Sequence, residues 1–210
     1  MNELPSRAGV LDELARAERA EGWMARCADA GRYVALNRAF VDALAEALRP
    51  LVDGGAHVLE VCAGDGALAA ALRRRGVAVV ATDIDPPSNS VSVERLTAAE
   101  ALSRYDPTVV LGSFVPFDAG VDRQILDHPR VRDYVVLNAR LAGAFGADCL
   151  WTRTGWGRRR LSAVTASVVS RHDVWLGDEQ PVRRLGEAWH LRRATDASDD
   201  AGTTQPELTR

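Results

Sequence analysis

The amino-acid sequence predicts an α/β fold in which a mostly parallel sheet carries helices on both faces. Short apolar runs typical of buried parallel strands, such as Val58 to Val61 and Val77 to Ala81, alternate with stretches of helical periodicity. The first run is followed by a glycine turn, Gly64-Asp65-Gly66, and then by a helical stretch from Ala67. Strand, turn, helix and strand in this order form the βαβ unit from which parallel sheets are built.

Length and composition indicate a single globular domain. The chain has 210 residues, of which 47% are hydrophobic, enough for a full core and too many for a disordered chain. No apolar run is long enough to cross a membrane and the N-terminus is polar, so we expect a cytoplasmic protein without membrane contact. The three cysteines are widely scattered, which predicts neither disulfides nor a metal site: Cys27, Cys62 and Cys149.

Charge restricts the function classes further. The formal net charge is −3, which gives no general attraction to nucleic acid. Two arginine runs, Arg73 to Arg75 and Arg158 to Arg160, are interpreted as a solvated helix end or loop. No lysine occurs in the sequence. Schiff-base chemistry and lysine-anchored phosphate binding are therefore excluded, because both need an ε-amine.

Two helices are predicted before the first strand, at Leu4 to Gly22 and Arg32 to Arg49. Residues 1–50 would form a helical cap, residues 51–193 the main domain and residues 194–210 a disordered tail. The cap would cover one face of the sheet. Alternatively, Trp23, Arg32 and Tyr33 would form a lid over a ligand at the carboxyl ends of the strands.

The rest of the chain continues the alternation of strands and helices. A third strand is predicted around Val91 and Val93, and Thr97 would cap a helix that runs to about Tyr105. Further strands are predicted at Thr108 to Leu111 and Tyr134 to Leu137. Two later stretches would pair antiparallel at the edge of the sheet: Ser162 to Leu176 and Ala188 to Leu191.

The glycine turn and the end of the second strand have the spacing of a nucleoside site. Asp83 follows the second apolar run and lies 19 residues after Gly64. An acid about 20 residues beyond such a turn accepts hydrogen bonds from ribose hydroxyls. A second loop, Gly112 to Asp118, follows the fourth strand and would either hold a substrate beside the nucleoside or simply cap the sheet.

Three segments together resemble the class I S-adenosylmethionine-dependent methyltransferases: Glu60 to Gly66, Asp83, and Val109 to Ser113. The resemblance covers roughly residues 56 to 150. It implies a Rossmann-like, doubly wound sheet of seven strands with an antiparallel edge strand, and S-adenosylmethionine as cofactor. Nicotinamide enzymes share part of this pattern, but their spaced triple glycine is not completed here, since Leu or Ala fills the third position.

The resemblance also implies roles for individual residues. Glu60 would bind around the methionine end of the cofactor, and the backbone at Ala63, Gly64 and Gly66 would pass beneath it. Asp83 would hold the ribose and Ile84 would pack on the adenine face. The remaining cofactor contacts would come from the ends of the third and fourth strands: Leu96, Thr97 and Ser113.

The acceptor side departs from the family pattern. In the family the loop after strand four often reads Asn-Pro-Pro-aromatic when nitrogen is methylated, whereas this chain has Ser113-Phe114-Val115-Pro116-Phe117, so nitrogen specificity does not transfer. Asp118 and His128 flank the segment after strand four and are the predicted general bases. The predicted substrate contacts are Phe114, Pro116, Phe117, Tyr134 and Asn138.

These observations lead to a functional hypothesis with two alternatives. The hypothesis is methyl transfer to a small molecule, driven mainly by positioning of the acceptor. It includes no nucleic-acid partner and no metal, and it allows the protein to form a homodimer. One alternative keeps the fold and the ligand but catalyses a non-methylating step such as cyclisation or hydrolysis. The other is a non-catalytic partner subunit.

Overall fold

The structure is a computed structural model that describes residues 3–14, 25, 33–52, 55–90, 92–116, 119–139, 147–170, 173 and 186–194. Its helices are α1 (Arg7–Leu14), α2 (Arg38–Leu48), α3 (Ala67–Arg73), α4 (Ala98–Tyr105), α5 (Val121–Asp127), α6 (Cys149–Thr152) and α7 (Ser162–Ser167), with a 3₁₀ turn at Arg49–Leu51. Its strands are β1 (Val58–Val61), β2 (Val79–Asp83), β3 (Val93–Arg95), β4 (Val109–Ser113), β5 (Asp133–Ala139), β6 (Trp156–Arg160) and β7 (Gly186–Arg193).

The seven strands form one sheet in the order β3-β2-β1-β4-β5-β7-β6. Strands β1 to β5 pair in parallel, and β7 is antiparallel to both β5 and β6. The predicted Rossmann-like, doubly wound fold is therefore confirmed. The antiparallel strand lies one position inside the edge, and β6 forms the edge itself.

Helices cover both faces of the sheet and create two apolar layers. On one face α2, α3 and α7 pack against β1, β2, β4 and β5. On the other face α4, α5 and α6 pack against the same central strands and β7. Because both faces are covered, ligands can reach the parallel strands only at their ends, and loops at the carboxyl ends provide the side chains of a site.

Two of the predicted elements near the end of the chain are wrong. Residues from Ser162 were predicted to form a strand, but they form helix α7. Val164 in the helix and its flanking residues Leu161 and Val168 lie three and four residues apart and are buried on the sheet. The edge strand is instead β6, which contains the arginine run Arg158 to Arg160 that was interpreted as a helix end or loop.

Other predictions hold with shifted boundaries. Helix α1 begins at Arg7, three residues after the predicted start, and residues 15–22 of its predicted range lie outside the described residues. Helix α2 begins at Arg38, and α4 follows its predicted Thr97 cap. The strand predicted near Val91 is β3, and Val91 itself lies outside the described residues. The division into cap, main domain and tail stays a prediction, and the tail lies outside the described residues except for Ala194.

The described residues contain neither a membrane-spanning helix nor a metal-binding cluster of side chains. None of the helices in these ranges is both long enough and apolar enough to cross a membrane. No group of three or more His, Cys, Asp or Glu side chains among the same residues is arranged to hold a metal ion.

Candidate functional site

The glycine turn joins the carboxyl end of β1 to α3 through several residues in the left-handed region. Gly64 has a φ of +57° and Gly66, the residue before α3, a φ of +75°. Glycine adopts this backbone without steric cost, which explains the turn's composition. Cys62 shares the conformation with a φ of +54°, although its side chain disfavours it. The turn thus presents backbone at the edge of the sheet.

Asp83, at the end of β2, is hydrogen-bonded to this turn. Its Oδ2 accepts the Gly64 backbone N–H over 2.8 Å, and its Oδ1 accepts the Asp85 N–H over 2.9 Å. Each carboxylate oxygen has more than one lone pair, so both can accept a further donor. The neighbouring Ile84 side chain is 66% exposed, which leaves an apolar surface beside the carboxylate.

Glu60 lies deeper at the same edge, on the face of the sheet that carries α3. Glu60 is 1% exposed, and burial raises the pKa of its carboxyl to about 8. The Oε2 atom is buried without a hydrogen-bond partner. A buried acceptor that lacks a partner costs free energy, so this position favours a ligand that donates to it.

A small cavity of about 30 Å³ adjoins Glu60. Its volume suffices for a group of roughly the size of one or two water molecules. The turn after β1, the start of α3, the end of β4 and a segment before α2 supply its wall: Tyr33, Val34, Leu36, Glu60, Cys62, Ala63, Asp65, Ala67, Leu68 and Ser113.

The segment before α2, residues 33–37, is here named the strap. It is held to the chain after α7 by a bridge between Val34 and Ser170 and by the Ala35 N–H, which donates to the Val169 carbonyl over 2.8 Å. Asn37 caps α2 by accepting the Phe40 N–H. The strap is therefore a fixed wall of the cavity. Of the three residues predicted as a lid, Tyr33 lies in it, whereas Trp23 and Arg32 lie outside the described residues.

The loop after β4 meets the strap through an aromatic pair. The rings of Phe114 and Tyr33 are stacked with centroids 6.0 Å apart and an interplanar angle of 13°. Phe114 is 2% exposed, has a φ of +54°, and donates its N–H to the Leu137 carbonyl. Pro116 is exposed, and Phe117 and the predicted base Asp118 lie outside the described residues.

Two predicted cofactor residues lie where β3 ends, next to Asp83. The Leu96 N–H donates to the Asp83 carbonyl over 2.9 Å. Thr97 and Glu100 form a capping box at the start of α4, in which the Thr97 backbone N–H donates to Glu100 Oε2. The polar groups of Thr97 are thus used within the helix cap, and the remaining contribution of this pair at the edge is the apolar Leu96 side chain.

Tyr134 was predicted to contact a substrate, and the structure contradicts this role. Its side chain is fully buried beneath β4 and its hydroxyl donates to Asp122 Oδ1 over 2.6 Å. Asp122 Oδ2 in turn accepts the Ala147 N–H over 2.7 Å. Burial and the adjacent Asp122 carboxyl raise the pKa of Tyr134 well above its usual value. Tyr134 therefore packs in the core beneath β4, where its hydroxyl is bonded to Asp122, and it is not exposed to a ligand.

His128, a predicted general base, is at the opposite end of the sheet. It follows the last residue of α5, and its Nε2 lies 3.9 Å from Asp106 Oδ1, shortly before β4 begins. Helix α5 starts near the carboxyl end of β4 and runs back to the amino end of β5. This placement separates His128 from Asp83 and Ser113, so the prediction of a base at this position is wrong.

Asn138, the remaining predicted substrate contact, lies at the carboxyl end of β5. It is 5% exposed and its Oδ1 atom is buried without a partner. Asp122 could not be recognised from the sequence, since one acid in a polar helix gives no signal of its buried tyrosine partner. The wall residues Val34 and Leu36 also give no signal in the sequence, because the strap that carries them is held by chain more than 100 residues away.

Comparisons with known proteins give matches to solved structures. No protein-family model matches the sequence, and no curated protein matches it. The structure of the 23S rRNA methyltransferase ErmE is similar over 77% of this chain and 70% of that one, with 16% identity and a TM-score of 0.48. An rRNA methylase from Streptococcus thermophilus matches over 76% of this chain and 99% of that one, with 12% identity and a TM-score of 0.46.

A third structure is a SAM-dependent methyltransferase from Bacteroides fragilis in complex with S-adenosyl-L-homocysteine. The match covers 72% of this chain and 77% of that one, with 14% identity and a TM-score of 0.42. At these identities the likeness concerns the fold. The prediction that excluded any nucleic-acid partner is contradicted, because two of the three proteins are named as enzymes of rRNA. We do not retain that exclusion.

Proposed function

We propose that this protein binds S-adenosylmethionine at the carboxyl edge of β1, β2 and β4 and transfers its methyl group. The observation that carries the proposal is the arrangement of Asp83, which is fixed to the glycine turn by the Gly64 N–H and lies beside the exposed Ile84. A carboxylate held in this way pairs with two vicinal ribose hydroxyls, and the apolar Ile84 side chain provides a surface for the adenine ring.

Glu60 fits the other end of the same cofactor. Its unpartnered Oε2 lies by a cavity lined mainly by apolar side chains, where an ammonium group would be desolvated and strongly attracted to a carboxylate. Such an ammonium would favour the ionised carboxylate and so lower the pKa of Glu60 from about 8. The cavity admits only a small group, so the ribose and adenine would lie outside it along Asp83 and Ile84.

The chemistry requires little beyond positioning. When bound, the cofactor supplies a methyl group on a sulfonium, which is already activated for displacement. The protein's part is to hold the acceptor in line with that methyl group at the end of β4, where Ser113 lines the cavity and Phe114 is locked against Tyr33. The predicted base Asp118 and the predicted contact Phe117 belong to the same loop and stay proposals.

Isothermal titration calorimetry with S-adenosylmethionine and S-adenosylhomocysteine tests the cofactor site. Asp83→Asn keeps the shape of the side chain and one acceptor oxygen, yet loses the charge and one ribose acceptor. We expect it to weaken both ligands at least about tenfold, since hydrogen bonds to charged groups contribute about 1.5–3 kcal/mol.

Asp85→Asn is the matched control, because Asp85 is exposed and its side chain pairs with Arg95 on the surface. Unchanged affinity in Asp83→Asn, or equal loss in the control, would show that the ligand is placed wrongly. Release of S-adenosylhomocysteine in the presence of separate RNA and small-molecule fractions of a cell extract then tests methyl transfer. Tight cofactor binding without release in either fraction would favour a non-methylating role.

A further inference from the structure

A cleft of about 340 Å³ opens between α5 and the segment 149–154, which contains α6. Helix α5 supplies Arg123, Leu126 and Asp127, which lie three and four residues apart and therefore share one side of the helix. Leu126 is fully buried at the base of the cleft, whereas Arg123 and Asp127 are exposed. The cleft lies on the face of the sheet that carries α5 and α6, opposite the face with Glu60 and its cavity. We name it the arginine cleft.

The wall of the arginine cleft carries more positive than negative charge. Arg153, in the segment 149–154, donates to the Asp127 carboxylate from the other side of the cleft. No carboxylate among the described residues pairs with Arg123, so the N–H donors of this guanidinium are available to a ligand. The pair of Arg153 and Asp127 is exposed and therefore weak in water, so an anionic ligand can compete with Asp127 for Arg153.

Two further arginines lie directly behind this wall. Arg158 donates to three backbone carbonyls, one of them that of Arg153 over 2.7 Å. Arg193 also donates to three, one of them that of Leu126 over 3.0 Å. Burial and then the charge of Arg153 lower the pKa of Arg193, while the Asp127 carboxylate opposes them. Backbone carbonyls orient these two guanidiniums without neutralising them, so positive charge accumulates behind the cleft.

The charge of the arginine cleft is a local feature, because the whole chain has a formal net charge of −3. Four guanidiniums lie in or directly behind the described wall, against the one carboxylate of Asp127: Arg123, Arg153, Arg158 and Arg193. The planar fork of arginine donates two parallel hydrogen bonds to a phosphate. The volume lies at the lower end of the range for ligand pockets, which leaves room for one unit of a single strand and none for a duplex.

We infer that the arginine cleft binds the phosphodiester backbone of a single-stranded nucleic acid. Arg123 and Arg153 contact the phosphates, and Arg158 and Arg193 are fixed positive charges behind them. Contacts of this kind hold a strand without reading its bases. The inference goes beyond the proposed function, because the cleft lies on the other face of the sheet from Glu60 and needs no cofactor. RNA and DNA strands share this backbone chemistry.

Fluorescence anisotropy with two labelled probes tests the cleft: a strand of ten uridylates and a strand of ten thymidylates. Each phosphate contact contributes about 0.7 to the slope of log affinity against log salt for a single strand. We expect Arg123→Gln to flatten the slope by about this amount and to weaken binding about fivefold at low salt, as loss of an exposed charge pair requires. The probe that binds more tightly identifies the preferred sugar, and equal binding means that the cleft recognises the phosphates alone.

Arg74→Gln is the matched control. Arg74 is also exposed and has no carboxylate partner among the described residues, but it follows α3 on the other face of the sheet. The substitution removes the same charge far from the cleft, so affinity and slope should keep their wild-type values, since salt screens charges beyond about 10 Å.

Asp127→Asn tests the cleft in the opposite direction. It removes the competing carboxylate and releases Arg153, so it should tighten binding about fivefold and steepen the slope by about 0.7. A variant that fails to fold cannot produce this gain. Cys149 then locates the strand, because its partly exposed thiol lies in the wall of the cleft. Maleimide labelling of Cys149, measured by mass spectrometry, should slow when either strand is bound.

Three results would overturn the inference. The first is no binding of either strand by folded wild-type protein, and the second is an equal loss of affinity in Arg123→Gln and Arg74→Gln. The third is complete displacement of the strand by inorganic phosphate at the same phosphate concentration, which would indicate a site for a small anion.

Titration with S-adenosylmethionine on the same preparation keeps the two proposals apart. Cofactor binding without binding of either strand would leave the proposed function standing and refute the inference. Binding of a strand through Arg123 without cofactor binding would do the reverse.

Discussion

Replacing Gly112 by alanine measures how tightly the end of β4 is packed over β5. A Cβ atom at this position would lie closer than 3.0 Å to the Tyr134 hydroxyl oxygen, and 3.0 Å from both Tyr134 Cε2 and Val115 Cγ2. The tyrosine would therefore have to retreat by roughly 1 Å to reach normal contact distance. Because it is fully buried and its hydroxyl donates to Asp122, this movement would break the hydrogen bond.

The cost follows from these two effects. Overpacking a buried site costs about 1–3 kcal/mol, and loss of a hydrogen bond to a carboxylate about 1.5–3 kcal/mol. We expect Gly112→Ala to lower the free energy of unfolding by about 3–5 kcal/mol. For a chain of this size each kcal/mol lowers Tm by roughly 2–4 °C, so the melting temperature should fall by about 6–20 °C.

Urea denaturation of a double-mutant cycle isolates the cause. Tyr134→Phe removes the hydroxyl that the new methyl group would strike, so Gly112→Ala should cost about 1–3 kcal/mol less in that background. Gly157→Ala is the control, since its Cβ would meet nothing nearer than the Arg192 carbonyl at 3.8 Å. Strict additivity of the two substitutions, or equal stability of Gly112→Ala and the control, would refute the reasoning.

Two further predictions concern buried titratable groups. Burial raises the pKa of Glu60 from 4.5 to about 8, so the folded protein keeps a proton that the unfolded chain releases, and stability should fall as pH rises from about 4.5 to 8. Urea denaturation across this range should show a flatter dependence in Glu60→Gln, and equal slopes would contradict the assignment. Burial also raises the pKa of the Cys62 thiol to about 12, so iodoacetamide at pH 8 should modify this thiol only after the protein unfolds. Mass spectrometry measures the labelling, and rapid labelling of the native protein would disprove this prediction.

The parts of the fold that were predicted from the sequence depend on local signals. The unit from β1 to β2 has apolar runs of strand length, glycines at positions with positive φ and an acid at the end of β2. Each signal lies within about 25 residues of the others, so the chain itself fixes their arrangement. The Thr97 cap is local for the same reason, since both partners of its capping box lie in one turn.

The parts that were missed depend on which end or face of the sheet a residue occupies. All seven residues of β5 are buried, so no alternation of polar and apolar residues shows that Tyr134 points beneath β4. His128 follows β4 in sequence, yet the seven residues of α5 carry the chain roughly 10 Å back along the sheet. Around α7, the alternation of small polar and apolar residues from Ser162 predicts a strand, whereas Leu161, Val164 and Val168 have the spacing of the helix that forms.

The strap has a consequence for the order in which the protein is completed during synthesis. Asn37 Nδ2 donates to the Ser167 carbonyl over 3.1 Å, across 130 residues of chain. The glycine turn and Asp83 are synthesised long before Ser167. A nascent chain that ends before Ser167 would therefore contain the residues of the proposed cofactor site without the partner that fixes the strap as the wall of the cavity. The wall of the site is assembled only when the last third of the chain has joined the first fifth.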